Sequence, residues 1–194
     1  IEEHYKTQID HDDNFGVSFC GMHIVRGKIE EDIIAKYEGD VLVHFLMGRM
    51  RVGSSLVMIR RSVYEEFNGF DESFKRHQDW EFLTRIFTKY KLASTHKIGV
   101  VKINLDRNVA TNPLKFEYNR IYFLDKMKGI IDSLPSKTSR EIYDVHYTSI
   151  AKEYFRARQL GGVIKWCMKT SRPLGSLFDI FRSAFVYFSK IAKV

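Results

Sequence analysis

The stretch FNGFDESFKRHQDWEF, residues 67–82, sets one carboxylate, Asp79, between Gln78 and Trp80 where an apolar helical pattern begins. Two roles suit a carboxylate there. It can cap the helix by accepting backbone N–H groups that the first turn leaves unpaired. It can also take a proton from a hydroxyl within hydrogen-bond reach, because an aspartate is ionised at neutral pH. The roles are compatible, since a helix N-terminus keeps a carboxylate charged and fixes its orientation. His77 and Gln78, on the approach to that helix, offer hydrogen bonds to a polar ligand or to solvent. Trp80 is either the first core residue of its helix or a flat apolar wall for a ligand. Ser54 and Ser55, at the start of an apolar run, either close a strand end or leave room for a ligand beside it.

Other acidic groups compete for attention. Asp71 and Glu72 follow Gly69 and read as turn residues, and the tetrapeptide DHDD at 10–13 reads as a loop. A glycosidase needs two carboxyls about 5–5.5 Å or about 6.5–9.5 Å apart. Asp71, Glu72 or Glu81 could partner Asp79, but no spacing requires it. Cys20 and Cys167 stand far apart with no Cys-x-x-Cys pattern. They form neither a zinc motif nor a disulfide framework, which points to a reducing compartment.

The elements that must position these residues follow from periodicity. IEEHYKTQ reads as the tail of a helix, FGVSFCGMHIV as a strand and RGKIEEDII as an edge segment. GDVLVHFLMGRM has helical spacing and ends near Gly48, and VGSSLVMIRR suits a buried strand. Ser62 and Glu65 have the spacing of a capping box for a short helix that stops at Asn68-Gly69. A second helix starts at Asp79 or Trp80 and buries Trp80, Leu83, Ile86, Phe87 and Tyr90 as one stripe. KIGVVKINL is a further strand. After Pro113 the pattern is helical throughout: one helix over 114–134, one from a capping box at Thr138–Glu141 to Gly161-Gly162, and one through Trp166 that Pro173 breaks. The last carries Leu174, Leu177, Phe178, Phe181, Phe185, Phe188 and Ile191 on one face. Its charges at Asp179, Arg182, Lys190 and Lys193 exclude a membrane span.

The order and spacing over residues 52–93 resemble the C-terminal half of the catalytic domain of family 2 glycosyltransferases. The residues that carry it are Ser54, Ser55, Arg60, Arg61, Gly69, Phe70, Asp71, Glu72, Gln78, Asp79, Trp80 and Arg85. A looser likeness runs from Ile1 to about Asn112. The resemblance implies an α/β fold: a partial nucleotide-diphospho-sugar transferase (GT-A) fold over residues 1–112, its acceptor-side half, followed by an all-α tail over 113–194. It implies an inverting transfer of a sugar from a nucleotide-sugar donor to a hydroxyl of a glycan or lipid-linked acceptor, in cell-surface polysaccharide or glycan synthesis. Asp79 matches the general base, and Ser54, Ser55, His77, Gln78 and Trp80 are the substrate-binding candidates. The family also implies a divalent metal, Mg²⁺ or Mn²⁺, bound mainly by a nucleotide-binding half with an Asp-x-Asp motif. That half is expected before Ile1, so the chain alone is expected not to turn over substrate. Two departures stand out. DHDD imitates the metal motif but follows a polar helical segment, not a hydrophobic strand. Asp106 stands where members often carry a His, as a metal-reaching carboxylate or a loop residue.

Charge separates the two parts. Residues 114–194 hold 15 Lys and Arg against 7 Asp and Glu, whereas the remaining 113 residues hold 16 against 17. A basic helical tail suits a solvated surface, an acidic partner or a membrane surface. The expected location is cytoplasmic, with a peripheral seat on the cytosolic membrane face where lipid-linked acceptors sit. The competing class is a non-catalytic basic helical module binding membrane or partner. No nucleic acid is expected, because neither a helix-turn-helix signature nor an aromatic-basic strand platform is present.

Overall fold

The computed structural model describes residues 1–27, 29–103 and 112–191, with side chains to residue 183, and divides into two compact units, Ile1–Asn108 and Val109–Val194. The first unit is built on one long strand, β1 (Phe15–Arg26). Its β-branched and aromatic run is buried from Gly16 to Met22, which requires cover on both faces. α1 (Glu2–Ile9) covers one face, where the Ser18 hydroxyl meets His4 Nδ1 at 2.8 Å. Val17 and Phe19, pointing the other way, join the main core.

β2 (Ile29–Ile33) pairs antiparallel with the second half of β1, and β3 (Val57–Ile59) pairs antiparallel with its first half. β4 (Lys91–Ile103) runs parallel to β1 along nearly its whole length, with register shifts between Phe15 and Val17, Phe19 and Gly21, and Gly21 and Met22. The sheet is therefore mixed, with β1 at its centre. β2 is a polar edge, as expected, and is clasped across the strands by His23 Nδ1 and Asp32 at 2.6 Å. That carboxylate holds the half-buried His23 above the usual histidine range.

Three helices finish this unit: α2 (Leu42–Leu46), α3 (Arg61–Glu66) and α4 (Gln78–Phe87). α2 stops before Gly48, whose φ of +64° is left-handed. Leu83, Ile86 and Phe87 are buried and Trp80 and Tyr90 pack against them, as the stripe required. The buried arc of α4 is wider than that stripe, because Phe82, Thr84 and Glu81 are also inside.

Two local expectations fail here. VGSSLVMIRR is not one buried strand: Ser54–Leu56 forms an exposed-edged 3-10 turn and only Val57–Ile59 is extended. The Ser62–Glu65 capping box does not form. Arg60 keeps its N–H on Gly16 O at 3.0 Å, in the sheet, so α3 starts at the very next residue. Glu65 is then taken by Arg61 Nε at 2.7 Å. The stop at Asn68-Gly69 is as expected, both residues being left-handed with φ of 54° and 64°.

The second unit is all helical: α5 (Pro113–Lys126), α6 (Lys128–Asp132), α7 (Ser136–Arg156), α8 (Leu160–Cys167) and α9 (Pro173–Ile191). Its core joins Ile150, Ala151, Tyr154, Val163, Trp166, Cys167 and Ile180. Glu117 on α5 ties three helices by accepting from Tyr154 Oη, from Trp166 Nε1 at 3.0 Å and from Lys165 Nζ at 2.9 Å. Burial alone would raise the Glu117 carboxyl, but the three donors outweigh it and hold it below the usual range.

The helix boundaries differ from expectation. The predicted 114–134 helix divides at Met127. α7 starts at Ser136 after Pro135, so Thr138 and Glu141 form no cap. It ends not at Gly161-Gly162 but at Arg156; two residues on, Arg158 is left-handed with φ 59°, and its successor Gln159 donates to Tyr154 O at 2.9 Å. The glycine pair lies inside α8. A Cβ on Gly162 would stand 2.1 Å from the Tyr154 ring, so glycine there lets α8 approach α7. On α9 the buried positions are Ser176 and Ile180, whereas Leu174, Phe178 and Phe181 of the predicted stripe are exposed. Phe185, Phe188 and Ile191 fall outside the described side chains.

Candidate active site

Local geometry in the first unit begins with a buried ion pair. Glu81, one turn into α4, has a side chain 3% exposed and binds both Nε and Nη2 of Arg85. The same guanidinium donates to Phe67 O at 2.6 Å and Gly69 O at 2.7 Å, the carbonyls where α3 ends. Arg85 thus fixes the FNGF turn against the start of α4. Asp71 completes the approach as a turn residue, accepting Ser73 N–H at 2.8 Å. Glu81 is spent on Arg85, so it is no second carboxylate for a hydrolase. Sequence reading missed this pair, although Glu and Arg four apart on a helix was the available signal.

α4 begins at Gln78, one residue before the expected start. Its cap is His77, left-handed with φ 66° and ψ 29°. Asp79 consequently sits in the first turn and not at the cap. Its Oδ1 accepts the Trp80 N–H at 3.0 Å. Its Oδ2 lies 3.9 Å from where a Cβ on Gly53 would stand, facing the backbone just before the exposed Ser54 and Ser55. Asp79 is half-buried, so one oxygen is anchored and the other faces a loop without being sealed in.

The remaining candidates divide around it. The His77 ring lies 5.6 Å from Trp80, which in turn lies 5.8 Å from Phe45. Trp80 is half-buried and packs against the main core. Gln78 is exposed and donates its amide to Phe74 O at 2.7 Å, which turns it back to the approach loop. The fold brings Asp79 to the Gly53–Ser54 backbone, a link across 26 residues that no local pattern shows.

Arg60 and DHDD form a separate knot. Arg60 donates to the carbonyls of Phe15, Gln8, His11 and Asp12 and meets Asp13 at 3.2 Å. Asp12 accepts from Asn14 N–H at 2.8 Å. Among the described residues no group of three or more His, Cys, Asp or Glu could hold a metal ion. The divalent ion that the resemblance implies finds no ligand set in them. Asp106 lies outside the described residues.

Asp79 lines neither of two hollows in the structure. One, about 310 Å³, lies beside β2 and includes Tyr37, Arg49 and Arg51; the other, about 520 Å³, belongs to the helical unit. Volume alone names no chemistry, and Asp79 is singled out by its Oδ2, which makes no hydrogen bond among the described residues, and by its neighbours. Both cysteines are free and buried. Among the described residues no helix is long and apolar enough to cross a membrane.

A mixed four-stranded sheet with helices, followed by an all-helical tail, is the α/β arrangement of a GT-A-like fragment. Neither a curated protein nor a solved structure matches the chain. The family described as glycosyltransferase like family 2 matches residues 7–126, more than half of the sequence and the whole stretch that carries Asp79 and its neighbours. The chain belongs to that glycosyltransferase family.

Proposed function

We propose that the protein is an inverting glycosyltransferase in which Asp79 is the general base. The observation that carries this reading is the split role of its carboxylate, Oδ1 held by the Trp80 N–H and Oδ2 facing Gly53. Oδ2 takes the proton of an acceptor hydroxyl as its oxygen forms a bond to the anomeric carbon of the donor sugar. The bond from that carbon to the nucleoside diphosphate breaks, and its electron pair leaves with the diphosphate. Fixing the base on a helix start held by Arg85 removes motion that would otherwise oppose the attack. Ser54 and Ser55 suit the donor side, and His77, Gln78 and Trp80 the acceptor side. Mg²⁺ or Mn²⁺, if the diphosphate is to be neutralised by an ion, is held by residues other than those described. The acceptor we propose is a glycan or lipid-linked chain of cell-surface polysaccharide synthesis, handled at the cytosolic membrane face.

The anomeric configuration of the product tests the mechanism. Proton NMR of the new linkage, formed from a panel of uridine- and guanosine-diphosphate sugars, is expected to show inversion relative to the donor. Retention overturns a single displacement through Asp79.

A second reading concerns the tail. Leu174, Phe178 and Phe181 on α9, Leu160 and Ile164 on α8, and Met168 just after it are all 60% or more exposed. They belong to a segment whose net charge is strongly positive. We propose that this apolar and basic surface rests on an anionic membrane. Sedimentation with vesicles containing phosphatidylserine should carry the protein down, and Phe178→Ser with Phe181→Ser should release it. Equal pelleting with neutral vesicles removes the charge argument.

A further inference from the structure

The helical unit holds an open hollow of about 520 Å³ between the first half of α7 and the segment after α8. Its volume is within the roughly 300–1,000 Å³ of small-ligand clefts. Four charged side chains line it, and two of these are already committed. Asp132 accepts from Tyr143 Oη at 2.9 Å and pairs with Lys128. Asp144 accepts both the N–H, at 2.8 Å, and the hydroxyl of Ser171. The other two are cations. Among the described residues Arg140 makes no ion pair, and Lys169 meets only the face of Trp166, at 4.6 Å. Asp144 keeps its charge, since its Ser171 partners are neutral, but its oxygens are turned to them, which leaves Arg140 and Lys169 as the charged groups with donors to offer a ligand.

Its apolar side is equally specific. Tyr143 and Tyr147, one turn apart on α7, both line the hollow with ring centroids 6.1 Å apart and planes 27° from parallel. The Tyr147 hydroxyl has no hydrogen-bond partner among the described residues, and Ser136 adds another at the rim. Two near-parallel rings, free hydroxyls and two free cations suit a ring-shaped polyol that carries an anion. Arg140 in particular matches carboxylate and phosphate alike with paired N–H donors.

We propose that this hollow binds an acidic sugar, its carboxylate or phosphate on Arg140 and Lys169 and its ring against Tyr143 and Tyr147. The hollow shares no residue with the candidate site at Asp79, and its proposal does not depend on the transfer reading. Binding to the intact chain is measured by amide NMR titration with glucuronic acid, glucose 6-phosphate, glucose and inorganic phosphate. The acidic sugars are expected to saturate shifts confined to residues 132–147 and 169–171. Arg140→Gln and Lys169→Gln should each weaken them about tenfold, the loss of one charge-assisted contact. Tyr147→Ala should weaken the acidic sugars and leave phosphate unchanged. A preference between glucuronic acid and glucose 6-phosphate identifies the anion and supports the site either way. Three results overturn it: no saturable shift with either acidic sugar, glucose binding as tightly as glucuronic acid, or phosphate matching glucose 6-phosphate in both the parent protein and Tyr147→Ala. Asp79→Asn should leave these titrations unchanged, which keeps failure here distinct from failure of the transfer mechanism.

Discussion

Asp79→Asn is expected to lower sugar transfer by about 10²–10⁴-fold, the usual worth of a positioned general base, while nucleotide-sugar binding stays largely intact. The asparagine amide has nearly the shape of the carboxylate, and its oxygen can still accept the Trp80 N–H that Oδ1 now accepts at 3.0 Å. What it loses is the capacity to take a proton. The helix start is expected to survive, so the variant separates chemistry from structure. The assay follows nucleoside diphosphate release together with product formation, in the protein as its own cell makes it. Asp79→Glu is the companion: it keeps the charge but moves it by one methylene, and rigid placement predicts a loss nearly as large. Undiminished turnover by the asparagine variant would remove Asp79 from the mechanism.

How much of this was legible in the sequence depends on the range of the interactions involved. β1 is announced by its own residues, since FGVSFCGMHIV reads as an unbroken run and is buried on both faces from Gly16 to Met22. The α3 stop is announced by Asn68-Gly69, because left-handed backbone is a local demand. The two capping boxes misled because a cap is decided by what precedes it. Arg60 is still bonded to Gly16 in the sheet, and Pro135 precedes α7, so each helix starts before its apparent capping residue. The face of α9 misled for a related reason: periodicity shows that a helix has an apolar side, not which side its neighbours cover. Here Ile180 and Ser176 are covered and Phe178 is not. The candidate site follows the same division. The Gln-Asp-Trp order was readable, but the approach of Asp79 to Gly53 and the burial of Glu81 were not, because both are made by tertiary packing.

That burial sets the second large effect. A carboxylate whose side chain is 3% exposed is tolerable only while Arg85 satisfies it. Arg85→Met, which strands Glu81, is expected to destabilise the first unit by about 3–5 kcal/mol, the cost of breaking a buried pair from one side. Glu81→Leu should cost less than this, since the Arg85 side chain is 26% exposed and can turn towards water. The double variant Glu81→Leu with Arg85→Met removes both charges and should recover most of the stability, as apolar replacements of buried pairs often do. It should not recover transfer. Arg85 also binds the Phe67 and Gly69 carbonyls, and methionine offers no donor to hold that turn against the start of α4. Two units in one chain need not unfold together, so the measurement needs a local reporter. Trp80 fluorescence during urea unfolding, in a Trp166→Phe background, reports the first unit alone. A double variant as unstable as Arg85→Met would mean that the carbonyl contacts, and not the buried charge, dominate. A double variant that is both stable and fully active would mean that Arg85 plays no part in placing Asp79.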